Sequence, residues 1–95
     1  MSMLRYHIEN PHGHDLVRRI RNSKHEAQDE FDIRIRWIKG DAYPKGRISA
    51  DGGVTGMVEV GHKTVRLTIH LGLVASAFQE KIALGVEDFL REVTQ

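Results

Sequence analysis

The chain has 95 residues, the size of a single domain, which leaves no room for separate cofactor and substrate domains. Hydrophobic residues at 40% and charged residues at 28% are typical of a globular domain and exclude a wholly disordered chain. The absence of cysteine excludes disulfides, zinc ribbons and thiol nucleophiles, and a formal net charge of +1 is far below that of DNA-packing proteins. We therefore expect one domain over residues 1–95, in a reducing compartment.

The N-terminal segment alternates apolar and polar residues, which predicts a short half-buried strand over residues 4–8. Asn10-Pro11 ends this strand, and both Asn10 and Asp15 fit the N-cap of the helix that follows. From Asp15 to Glu30 the chain has no Pro or Gly, and a thin apolar stripe runs between basic residues. This pattern indicates a helix on the surface.

Four further strands are predicted in the middle of the chain. Strict alternation over residues 31–37 is the strongest strand signal in the sequence, and a weaker one covers residues 47–50. The tight-turn sequence at 51–53 leads into a strand over 54–60, and the last strand ends at about Leu71. Short connections between consecutive strands are typical of an antiparallel meander.

The last quarter of the chain changes to a helical period. From Val74 onward, apolar residues recur every three or four positions. The predicted fold is therefore α+β, in the order strand, helix, four-stranded antiparallel meander, helix, with both helices on one face of the sheet. We expect Trp37, which shares strand parity with Ile35, and Phe78, which shares a helical stripe with Ile82, to lie in the core.

The sequence shows no catalytic or metal-binding pattern. His12-Gly13-His14 with Asp15 could contribute metal ligands, but two histidines in a turn leave a coordination shell half empty. No serine lies in a Gly-x-Ser-x-Gly turn, since Ser49 is flanked by Ile and Ala. We expect no catalytic residue, no metal and no cofactor.

Strand alternation directs several basic residues to the sheet face opposite the helices. An uncovered face rich in arginine suits a polyanion, but this one lacks the aromatic residues that stack bases, and Asp32 and Glu59 dilute its charge. These features argue against nucleic acid and favour an ordinary solvated face. The candidate binding residues on it are Arg34, Arg36, Arg47, Arg66 and His70.

The first residues lack the apolar run of a signal peptide, and no apolar stretch approaches the roughly 20 residues of a membrane span. We therefore expect a cytoplasmic protein with no membrane span.

Residues 53–60, 65–74 and 78–82 resemble the family of polyhydroxyalkanoic acid system proteins, small bacterial proteins linked to polyester storage granules. The resemblance includes a Trp-containing strand, a Gly-strand-turn-strand hairpin and a Leu-Gly-Leu turn into a helix with Lys-Ile. The matching positions are Trp37, Gly56, Leu71, Gly72, Leu73, Lys81 and Ile82.

The resemblance implies a role in polyhydroxyalkanoate metabolism or granule organisation, with the granule, its coat proteins or its synthase as partner and homo-oligomerisation left open. The protein is not expected to be an enzyme, because the polymerising reaction needs a cysteine and depolymerisation needs a nucleophile elbow. A granule binder would need exposed apolar area, for which the candidates are Leu73, Val74, Phe78 and Met57.

Two alternatives remain open at this point. One is polyanion or nucleic-acid binding through the arginine-rich face. The other is a small hydrophobic ligand held between the helices and the sheet.

Overall fold

The structure, a computed structural model, describes residues 2–23, 32–38 and 44–95. These residues form an antiparallel sheet with helices on one of its faces. The strands are β1 (Ser2–Glu9), β2 (Arg34–Ile38), β3 (Lys45–Ala50), β4 (Val54–Val60) and β5 (Thr64–Leu71). A 3-10 turn (Gly13–Asp15) precedes α1 (Leu16–Asn22), and the C-terminal part contains α2 (Leu73–Ser76) and α3 (Gln79–Thr94).

The five strands are arranged in the order β1-β5-β4-β3-β2, and every neighbouring pair is antiparallel. β2 to β5 form the predicted meander. β1 adds to the far side of β5, with Ser2 opposite Leu71 and Glu9 opposite Thr64, so the two strands pair over their whole length. The predicted α+β fold with its order of elements is confirmed.

The core lies between the helices and the inward-facing side chains of the sheet. Every second residue of β5 is buried, and so are Val54, Val58 and Val60 of β4, because one face of the sheet meets the helices and the other meets solvent. Among the described residues the buried core comprises Leu16, Ile20, Val54, Val58, Val60, Val65, Leu67, Ile69, Leu71, Ala75, Leu90 and Val93.

The first helix ends earlier than the sequence pattern predicts. α1 stops at Asn22, and Ser23 adopts an extended conformation with φ −70° and ψ 135°. The remainder of the predicted helix, up to Glu30, lies outside the described residues. Asp15 is the N-cap residue of α1 and pairs with Arg18 at 2.7 Å between carboxylate and guanidinium.

Asn10 is a buried polar side chain with a different role from the helix cap considered for it. Its amide group donates to the carbonyls of Gly13 and Gly61, each at 2.9 Å, and its side-chain oxygen accepts from the His12 backbone N–H at 3.1 Å. A buried amide is tolerated because its polar atoms are bonded. Asn10 therefore fastens the exit of β1 to the turn between β4 and β5.

Trp37 packs against the core, but it is only half-buried. It lies opposite Gly46 on β3, where a Cβ atom would come within 3.2 Å of the indole ring. Arg21 of α1 places its guanidinium 5.8 Å from the ring centroid, within the range of a cation–π contact. The indole thus links α1 to the β2 edge of the sheet.

The predicted burial of Phe78 is wrong, since 56% of this residue is exposed. The C-terminal helical pattern is interrupted: Phe78 has the non-helical angles φ −112° and ψ 23° between α2 and α3. The predicted apolar stripe assumes a constant turn of about 100° per residue, so it no longer predicts which residues face the core after such a break. Phe78 therefore leaves the line of Ile82 and Val86, which do pack against the core.

Candidate functional site

An exposed apolar cluster lies where β5 leads into the C-terminal helices. Leu73 is 83% exposed, Val74 67% and Phe78 56%, and these three residues are called the apolar patch below. Three large apolar side chains this exposed and this close in the chain differ from the scattered surface apolar residues of most proteins. The patch contains three of the four residues singled out as candidates for contact with an apolar partner.

The local backbone explains why these side chains face outward. Gly72 is the N-cap of α2, and a Cβ atom there would lie 3.0 Å from the Gly53 carbonyl that accepts its N–H. Within the single turn of α2, Ala75 is the residue turned into the core. The Ser76 hydroxyl lies 3.3 Å from the Leu71 carbonyl and 3.1 Å from the Ser2 hydroxyl. With the inward side of this short helix occupied, its larger residues project to solvent.

An apolar cavity of about 280 Å³, partly open to solvent, lies between α1, α3 and the inner face of the sheet. Ile35 and Ile48 contribute from the sheet, and Val86 and Phe89 from α3. Val74 and Phe78 also line the cavity, so the apolar patch borders it.

The opposite side of the sheet, called the open face below, carries the predicted arginine cluster. Strand pairing puts Arg36 directly opposite Arg47, and Arg66 opposite Glu59. Arg34 lies two residues from Arg36 along β2 and pairs with Ser49. Ser49 pairs with Thr55, which lies opposite His70, so Arg34 and His70 are at the same level across the sheet. The structure therefore brings the five candidate residues onto one exposed face, although not into one pocket.

Carboxylates neutralise part of this charge. Arg34 pairs with Asp32 at 2.7 Å, and Arg66 lies 4.0 Å from Glu59. Arg36 and Arg47 have no ion pair within residues 2–23, 32–38 and 44–95. Like charges directly opposite each other on neighbouring strands are destabilising, so this pair is tolerated because water screens both guanidinium groups.

β1 also contributes to the open face, which the sequence pattern did not predict. Because β1 pairs with β5, Arg5 lies opposite Thr68 and His7 lies opposite Arg66. The alternation within residues 4–8 already directed Arg5 and His7 outward, but it could not say which strand β1 would join. Their membership of this face is decided by the pairing alone.

Met57 does not belong with the apolar patch. It lies on the open face, between Arg47 on β3 and Thr68 on β5, whereas Val74 and Phe78 line the cavity on the helix side. Met57, one of the four candidates for contact with an apolar partner, is half-buried and cannot share one contact surface with the apolar patch. Strand parity, which sends every second residue of β4 outward, is the reason.

The side chains of His12, His14 and His62 do not converge on a common point. His12 contacts the Gln95 carbonyl at 2.9 Å, and the rings of His14 and His62 meet edge to face with 5.5 Å between their centroids. In the part of the chain that the structure describes, no three histidine or acidic side chains are placed to hold a metal ion. None of the helices described is both long and apolar enough to span a membrane.

Comparison with protein-family models gives a match over most of the chain. The family model described as "Putative polyhydroxyalkanoic acid system protein" matches residues 6–93 of the chain. That range includes all of β2 to β5, α1, α2 and nearly all of α3. No curated protein and no solved structure matches the chain.

Proposed function

The chain belongs to the family of polyhydroxyalkanoic acid system proteins, and from that membership we propose that it is a non-enzymatic accessory protein of polyhydroxyalkanoate storage that docks on the polyester granule through the apolar patch. The observation that carries this proposal is the exposure of Leu73, Val74 and Phe78 at one point of the surface. A polyester surface offers apolar area, and burying apolar side chains against it is favourable.

The expected strength of this contact is modest. Moving one large apolar side chain from full exposure to full burial contributes about 1.5 to 3 kcal/mol, and the patch residues are already partly covered. A single patch should therefore bind reversibly, and binding should strengthen when several copies act together. This behaviour suits a protein that coats a granule and leaves it again.

Two observations support a role without catalysis. The whole chain lacks cysteine, so it cannot supply a thiolate for polymer synthesis. Among the described serines, Ser49 lies within β3 and Ser76 contacts Ser2 and the Leu71 carbonyl, and neither lies on a strand-to-helix elbow. We expect the protein to act in the cytoplasm, at the granule surface.

Co-sedimentation with particles of purified polyhydroxyalkanoate tests the proposal. The triple variant L73S/V74S/F78S should lose binding and remain folded by circular dichroism, because the greater part of each replaced side chain is exposed. The matched control is L84S, since Leu84 is 64% exposed on α3 but lies outside the patch. It should bind like the wild type.

A second control removes the charge of the open face. Replacing Arg34, Arg36, Arg47 and Arg66 by Ala should leave granule association intact and change stability by no more than about 0.5 kcal/mol per exposed site. Loss of association in this quadruple variant, with its melting temperature preserved, would contradict docking through the patch. Binding to native granules but not to bare polymer would indicate that a coat protein is the partner.

The cavity favours a second candidate function, the binding of a small apolar ligand. Its volume of about 280 Å³ is just below the roughly 300 to 1,000 Å³ of ligand pockets, and its lining is almost wholly apolar. A fluorescent fatty acid should then bind one site per chain and be displaced by short-chain hydroxyacyl esters. V86F, which fills the cavity from α3, should abolish this binding without affecting co-sedimentation with polymer.

A further inference from the structure

The two edges of the sheet differ in how well they are protected against pairing with another strand. β2 is five residues long, and both of its arginines face outward on the open face. Short edge strands of one charge discourage association. β1 is eight residues long, contains no Pro, and pairs regularly along its whole length. It is the more accessible edge.

The backbone of β1 has unused hydrogen-bonding groups. The Asn10 N–H donates to the Lys63 carbonyl at 2.7 Å, which fixes the alternation of the ladder between β1 and β5. Even-numbered residues of β1 therefore bond to β5. The N–H and carbonyl groups of Met3, Arg5, His7 and Glu9 point away from the sheet, and no other described strand lies beside them.

The inward side chains of β1 are also less covered than those of its neighbour. Leu4, Tyr6 and Ile8 are half-buried, whereas Leu67 and Ile69 opposite them on β5 are buried. A further strand beside β1 would cover this remaining apolar area.

The charges along β1 indicate which strand fits. Arg5 and Glu9 both face outward, and neither has an ion pair within the described ranges. They lie four residues apart, about 13 Å along an extended strand, so they cannot pair with each other in one chain. An antiparallel copy of the same strand can bring them opposite each other.

We propose that two copies of the chain pair through β1, antiparallel, about a two-fold axis at His7, so that Arg5 of each copy lies opposite the partner's Glu9. The outward-pointing backbone groups of Arg5, His7 and Glu9 then complete ladder bonds across the axis. An axis at Arg5 would place the Arg5 side chains of the two copies opposite each other. An axis at Tyr6 would place Glu9 opposite the partner's Met3. Only the axis at His7 pairs both charges with their opposites.

This pairing has a structural consequence for the granule contact. A two-fold axis perpendicular to the sheet keeps the helix layers of both copies on the same side. The two apolar patches, whose Val74 and Phe78 line the cavity on the helix side, would then lie on that same side of the sheet, at opposite ends of the paired strands. Contact of both patches with one granule would raise the avidity of an interaction that is weak for one patch. The gain in avidity rests on the proposed function, whereas the dimer itself does not and is measured without granules.

Sedimentation equilibrium of the full chain tests the dimer. The wild type should sediment with twice its chain mass of 10.8 kDa. The variants R5E and E9R should each weaken dimerisation by about tenfold or more, because two cross-strand pairs become repulsive. Mixing the two variants should restore a dimer, since the two acidic side chains of one variant's β1 would face the two basic side chains of the other's. The double variant R5E/E9R should dimerise alone.

The control variant is R47E, which makes the same charge change on the open face at β3, away from the edge. It should dimerise like the wild type. Restoration by mixing also shows that the single variants are folded. A monomeric wild type, a dimer unaffected by R5E, or a dimer strengthened by R5E would overturn the proposal.

Discussion

The inner face of the sheet differs between its centre and the β2–β3 side. On the central strands β4 and β5 the inward side chains Val58 and Leu67 are buried, whereas Ile35 on β2 and Ile48 on β3 are half-buried. All four residues line the cavity, so the two regions differ in burial and not in access to the cavity. Because apolar burial stabilises in proportion to the area removed from water, stability should come mainly from the central β4–β5 region.

The largest expected effect compares one inward residue from each region. L67A should lower the free energy of unfolding by about 3 kcal/mol, because Leu67 is buried and truncation removes its apolar contacts. I48A should lower it by about 1 kcal/mol, because Ile48 is only half-buried. Urea unfolding measures both. Equal losses would show that the two positions contribute alike.

The next effect concerns the side-chain hydrogen bonds of Asn10 at the end of β1. N10A should destabilise by about 2 kcal/mol, because the Gly13 and Gly61 carbonyls lose their donor in a site where Asn10 is only 3% exposed. Asn22, exposed at the end of α1, provides the matched control. N22A should shift stability by no more than about 0.5 kcal/mol. A similar loss in both variants would mean that the buried bonds of Asn10 contribute little.

Adding volume should have opposite effects at a buried and at a half-buried position. A75V enlarges a buried residue of α2, and overpacking there should cost about 1 to 3 kcal/mol. A50V adds the same atoms on β3 at a half-buried position, where it should be neutral or stabilise by up to about 1 kcal/mol. Thermal unfolding distinguishes the cases. Destabilisation by A50V equal to that by A75V would show that both positions are packed equally tightly.

The smallest expected effect is a pH dependence of the free energy of unfolding that arises from Tyr6 on β1. Burial and, to a lesser degree, the nearby Glu87 carboxylate raise the pKa of Tyr6 above its ordinary value of 10.0. Because the folded state holds this proton more tightly, the associated stability is complete below pH 10 and is lost as pH rises through the folded pKa. Y6F should remove this alkaline loss, and E87Q should lower the Tyr6 pKa in an absorbance titration. An unchanged titration in E87Q would show that the Glu87 carboxylate does not contribute to the raised pKa of Tyr6.

The sequence alone determined the element order, the strand parity and the family. Alternation is a local property of an extended chain, so it placed Arg34, Arg36, Arg47, Arg66 and His70 on one face before any pairing was known. The family resemblance, carried by turn and strand residues, is confirmed by the match over residues 6–93.

Tertiary structure decided what local periodicity cannot encode. The position of β1 beside β5 depends on long-range pairing, which places Arg5 and His7 on the open face and leaves β1 as a free edge. The helical pattern is interrupted at Phe78, where α2, whose Ala75 is buried, meets α3. A helical stripe counted along the sequence therefore predicted Phe78 to be buried, which is wrong. Exposure is set by what packs against a side chain from elsewhere in the chain, so the sequence could name Leu73, Val74 and Phe78 as candidates but could not decide that all three are exposed.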